Sequence, residues 1–185
     1  VNNNQFNGNG WAKTNINANV STNNTGNASV ASYTYCTTTR TSCTPNTKVN
    51  SNTGTITMSN ESSTNYVCAY STTTAGINSE TSCIGPYKLD KSGPSISYPA
   101  STNIKQSAGS YNLKTDVSTS DNLTTTNSIT LNATGSLNFG TPGNYTITYV
   151  ATDRAGNTTT KYRTVTIYDD IVPTLTITSS CDVPG

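Results

Sequence analysis

Residues 143–167 read GNYTITYVATDRAGNTTTKYRTVTI. Successive side chains of a strand point to opposite faces, so Tyr145, Ile147 and Tyr149 share one side of the first half. In the second half Arg163, Val165 and Ile167 alternate with Tyr162, Thr164 and Thr166. Between the halves, DRAGN at 153–157 carries Gly156-Asn157, residue types that tolerate a positive φ at a chain reversal. The spacing predicts a β-hairpin.

A fainter copy lies upstream. NYVCAY at 65–70 lines up with NYTITY at 144–149, and Ala75-Gly76 with Ala155-Gly156. Each copy runs into a similar linker. LDKSGP at 89–94 precedes the β-prone Ser95-Ile96-Ser97-Tyr98, and DDIVP at 169–173 precedes Thr174-Leu175-Thr176-Ile177. A repeat of that length fits one small β-sandwich. The chain is therefore expected to divide into a cysteine-bearing module over 1–90 and a second module over 91–169. Residues 170–185 then open a further repeat or form a tail, with the partner of Cys181 beyond Gly185. The whole reads as a piece cut from a tandem array.

Asn, Thr and Ser make up close to half of the 185 residues, with only 10% charged and 31% apolar. Disordered chains are rich in charge and poor in aromatic and β-branched residues. Here eleven Tyr, abundant Thr and period-two Val and Ile argue instead for half-buried sheet. The expected class is all-β. A net charge of +1 with no basic cluster provides no electrostatic footprint for nucleic acid. No apolar run approaches the length that spans a bilayer. His is missing, which removes the commonest general base and metal ligand, and with it a hydrolytic triad of the usual kind. No pair of carboxylates is placed for acid–base work. The expectation is a protein that is not an enzyme.

Upstream, residues 11–20 read as one strand, with Ala12, Thr14, Ile16, Ala18 and Val20 on one face and Trp11 as an edge or core aromatic. A turn over 21–27 and a second strand over 28–36 follow. Five Cys without CxxC spacing do not make a zinc site. Cys36 and Cys43 bracket a short loop, while Cys68 and Cys83 lie symmetrically about Ala75-Gly76, which places them opposite one another in a hairpin. Pairing 36–43 with 68–83 is the expectation, and Cys36 or Cys43 with Cys68 is the alternative if those strands adjoin. Disulfides imply an oxidising, extracytoplasmic setting.

Taken together, these residues resemble bacterial immunoglobulin-like (Big-type) extracellular repeat domains. The second module carries the resemblance best: Gly143-x-Tyr145-Thr146-x-Thr148-Tyr149-x-Ala151-Thr152-Asp153-x-Ala155-Gly156-Asn157, the Pro94 start, the Asp121-Asn122 loop and Phe139 before Gly143. The first module looks like a relative, with SYTYC, NYVCAY and CIGPYKLDKSGP. No Cys lies on the 11–20 strand, so the usual inter-sheet disulfide of antibody domains cannot form. The resemblance implies tandem immunoglobulin-like β-sandwiches. Tyr66 and Tyr145 take the tyrosine-corner position, with hydroxyls expected to bond local backbone, and Gly156 is structural.

In such a sandwich the loops holding Asp121 and Asp153 gather where the chain enters, beside Asp90. Three carboxylates there suit calcium. Each Asp capping its own turn is the alternative. No other cofactor is expected. The function implied is a non-catalytic stalk or adhesive region of a bacterial surface or secreted protein. A carbohydrate-binding segment of a secreted hydrolase and an immunoglobulin-like decoration of a phage particle are the alternatives. The expected partners are neighbouring repeats and a host-surface protein or glycan, with neither nucleic acid nor membrane insertion.

Overall fold

The computed structural model describes residues 1–24 and 26–178, and Cys181 lies outside them. Seven strands fall in the first half: β1 (Trp11–Ala12), β2 (Ile16–Ser21), β3 (Val30–Thr38), β4 (Thr47–Val49), β5 (Thr53–Met58), β6 (Ser62–Thr73) and β7 (Ser82–Leu89). They form one sheet of order β1-β7-β6-β3-β4 and a second of β2-β5. Six follow: β8 (Ser95–Ser97), β9 (Asn103–Lys105), β10 (Ser118–Ser120), β11 (Thr130–Thr134), β12 (Gly143–Thr152) and β13 (Thr158–Tyr168). These form a sheet of order β11-β12-β13-β9 and a pair β10-β8. The described residues contain no α-helix. The protein is all-β.

Two apolar clusters hold these sheets. Ile16, Ala18, Ile56 and Met58 of the β2-β5 pair meet Ala12, Tyr33, Val67 and Leu89 of the larger sheet. Downstream, Ile96 of β8 meets Ile104, Ile147, Tyr149, Ala151 and Val165 of the four-stranded sheet. In each half the last strand lies parallel to an early one: β7 beside β1, with Ala12 opposite Leu89, and β13 beside β9, with Ile104 opposite Ile167. Both arrangements are consistent with an immunoglobulin-like sandwich.

The hairpin is β12–β13, in unbroken register from Gly143 opposite Ile167 to Thr152 opposite Thr158. Its buried face carries Ile147, Tyr149 and Ala151 on one strand and Arg163, Val165 and Ile167 on the other. Gly156 sits at φ 85°, and the Asp153 amide donates to the Asn157 carbonyl (3.1 Å) to close the turn.

Residues 11–20 do not form one strand. β1 pairs with β7 and β2 with β5, so the chain changes sheets across the exposed residues 13–15, and Thr14 leaves the predicted face. The even alternation there was produced by two strands on different sheets. Trp11 is buried, with the Lys88 ammonium 5.7 Å over its ring. The next strand starts at Val30 rather than 28 and runs on to Thr38. Residues 174–177 adopt no strand. A lone extended segment has unpaired backbone groups, and the described residues offer these no partner strand. Leu175 and Ile177 are consequently 86% and 84% exposed.

Cys36 is bonded to Cys43, and Cys68 to Cys83. Cys68 faces Cys36 in the β3–β6 register and Cys83 in the β6–β7 register, so the alternative partner also stood opposite it in the sheet. The Tyr145 hydroxyl donates to the carbonyls of Thr141 (2.6 Å) and Asn138 (3.1 Å). Tyr66 differs. Its ring packs against Gly85, where a Cβ would stand 2.6 Å from it, and its hydroxyl has no hydrogen bond among the described residues. The Tyr145→Phe substitution is expected to lower the unfolding free energy by about 1 kcal/mol, and Tyr66→Phe by less than half that, in urea titrations followed by circular dichroism.

Candidate functional site

Asp90 is the first residue beyond β7. Its amide donates to the Ala12 carbonyl (3.0 Å), which continues the β1–β7 pairing and fixes the start of the linker. Its side chain is fully buried. Oδ1 accepts from the Ser92 amide (3.2 Å), and Oδ2 has no partner among the described residues.

Asp121 follows β10, and its Oδ2 accepts from the amides of Leu123 (3.0 Å) and Thr124 (2.8 Å). Asp153 follows β12 and is buried. Its Oδ1 accepts from the Asn157 amide (2.8 Å) and its Oδ2 from the Asn157 side-chain amide (2.9 Å). Asp121 and Asp153 therefore do cap their own turns. They also converge with Asp90: one carboxylate oxygen from each lies within 4.8 Å of the other two. Capping and convergence coexist, because each carboxylate has lone pairs to spare for both.

Burial raises the Asp90 carboxyl to about 6, against the pull of the Ser92 amide, and the negative charges of Asp121, Asp153 and Glu61 add to the rise. A shallow depression lined by Ser92, Gly93, Ser95, Ser120, Asp121 and Asn122 opens beside this point.

Further contacts draw the two halves together here. The Asn157 side-chain amide also donates to the Asp90 carbonyl (2.9 Å). From the first half, Asn7 and Asn9 donate to the Arg154 carbonyl (2.8 and 3.3 Å), and Lys13 to that of Gly156 (3.2 Å). The Glu61 carboxylate accepts from the Lys91 amide (2.6 Å) and the Ser92 hydroxyl (3.0 Å), clasping the linker from the other side. Of these partners the sequence marks Asp90, Gly156 and Asn157, through the linker and the turn. Nothing in the spacing of Glu61, Asn7 or Lys13 marks them, since their partners are distant in sequence.

Arg163 shares the buried face of β13 with Val165 and Ile167. The guanidinium is buried, lies 5.6 Å from the Tyr98 ring centre, and donates to the Thr115 carbonyl (3.2 Å) and the Thr102 hydroxyl. It ties the hairpin to the loops on either side of β9, a structural role.

Facing sheets around an apolar core, a last strand parallel to an early one and a hairpin closed by an Asp-led turn describe an immunoglobulin-like module. Residues 106–167 match the family described as bacterial surface protein, Ig-like domain, and that family is what this segment is similar to. A search of the curated proteins returns no match. No helix among the described residues is long and apolar enough to cross a membrane.

Proposed function

We propose that the chain is a pair of tandem immunoglobulin-like modules, over residues 1–90 and 91–169, forming a non-catalytic stalk or adhesive region of a bacterial surface or secreted protein. The observation that carries this reading is the presence of two separate apolar cores, each bordered by a parallel strand pair, on either side of one linker at Asp90. The family of residues 106–167 supports an extracellular module. So do the two disulfides, which persist in oxidising compartments. Function is carried by sites rather than by folds, so the surface decides between spacer and binder.

The exposed sheet faces are dominated by Thr, Asn and Ser. Such a surface stays solvated without sticking, as a spacer requires. The test is a glycan array together with adherence of chain-coated beads to epithelial cells. A stalk is expected to bind no glycan specifically, whereas an adhesive region retains beads on cells. Specific low-micromolar binding of one sugar class overturns the proposal in favour of a carbohydrate-binding segment. Hydrolytic or transferase activity in the purified chain overturns its non-catalytic part.

A further inference from the structure

Asp90, Asp121 and Asp153 arrive at one point from the linker, the loop after β10 and the β12–β13 turn. Three acidic residues close together are not in themselves a site, and two of these are engaged in turns of their own. Asp90 is different. It is fully buried, and its Oδ2 has no hydrogen-bond donor among the described residues. A buried carboxylate oxygen without a donor is costly unless a cation compensates it.

The basic side chains of the neighbouring segments bond elsewhere. Arg154 donates to the Ser128 hydroxyl, Lys91 to the Ser59 carbonyl and Lys13 to the Gly156 carbonyl. The donor set is all carboxylate oxygen, which suits a hard cation and not zinc. Calcium accepts oxygen ligands in flexible geometry, whereas magnesium demands a near-ideal octahedron and dehydrates reluctantly, so three carboxylates brought in by separate loops suit the larger ion.

We propose that Asp90, Asp121 and Asp153 bind calcium, and that the ion locks the linker to the loops of the second half. The locking role rests on the stalk reading above, whereas the binding does not. One carboxylate belongs to the residue that ends the first core and two belong to the second, so occupancy joins the two units through the Asp90 side chain as well as its main chain.

The test uses the whole chain, stripped with chelator and titrated with calcium chloride. With affinity in the range of extracellular calcium modules, about 10 mM calcium is expected to raise Tm by roughly 5–15 °C. Magnesium at the same concentration should give less than half that shift. The Asp90→Asn variant is expected to keep a cooperative transition without metal and to lose the calcium response. Should that variant fail to fold, Asp121→Asn, which keeps a side-chain oxygen for its turn, tests the same point.

A shift below about 1 °C in the parent chain, or an equal shift in both variants, overturns the site. Small-angle scattering separates the two parts of the proposal. A narrower distribution of interatomic distances on adding calcium supports the lock, while stoichiometric binding with unchanged scattering overturns the lock and leaves the ion.

Discussion

Replacing Cys68 and Cys83 together by Ala is expected to lower the unfolding free energy of the first half by about 3 kcal/mol, the chain-entropy contribution of closing a loop of about that span. The cysteines are 15 residues apart in sequence, joined across β6 and β7. Cys68 is fully buried on the face of β6 opposite Val67, and the core on Val67's side has only eight buried members among the described residues. Ala keeps the site apolar, so the loss reports the crosslink and the missing sulfur rather than a stranded hydroxyl. Trp11 is the one tryptophan of the chain and lies buried on β1, so its fluorescence follows this half alone. The urea midpoint read by Trp11 should fall steeply. A loss under 1 kcal/mol would show that the sheet holds this geometry without the bond. The Cys36–Cys43 bridge spans only 7 residues, and its removal should cost less.

The second large effect is expected at Ile147. Its side chain is fully buried in the middle of β12, among Ile96, Tyr149 and Val165. Gly135 lies so close that a Cβ there would stand 2.8 Å from the Ile147 Cδ1, so the site is packed without slack on that side. Truncating a buried Ile to Ala costs about 2–5 kcal/mol, and the upper part of that range applies where neighbours cannot close the cavity. The Ile147→Ala variant should therefore lose about 3–4 kcal/mol in urea unfolding followed by circular dichroism. The Trp11 transition serves as an internal control. If the two cores fold separately it stays where it was; a matching shift would show that the joint couples them.

The hairpin was readable because both of its strands belong to one sheet with one buried face, so alternation and turn residues agree. Residues 11–20 misled for the opposite reason. The chain leaves one sheet and joins another there, and the buried positions of two short strands happened to fall in step. Residues 174–177 have strand composition, but a strand also needs a neighbour. The three aspartates were legible from loop topology, since a sandwich gathers those loops at one end. The clasp by Glu61 and the reach of Asn7 and Lys13 were not, because side-chain bonds to distant carbonyls leave no local pattern. Arg163 stood in plain view on the face of Val165 and Ile167, where an arginine demands polar partners; its alternation was the signal.

Four of the bonds that join the two halves share a chemical habit. Asn7, Asn9 and Lys13 donate to carbonyls of Arg154 and Gly156, and Asn157 donates to the carbonyl of Asp90. A carbonyl is present whatever side chain the residue bears. The surface that receives the first half is thus indifferent to the identity of residue 154 and depends on the path of the turn, which Gly156 holds at positive φ. The donors are side chains, so the other surface does depend on the identities of Asn7, Asn9 and Lys13. A joint of this kind is one-sided: a change of side chain at residue 154 leaves it standing, whereas a change at Asn7 or Asn9 loosens it.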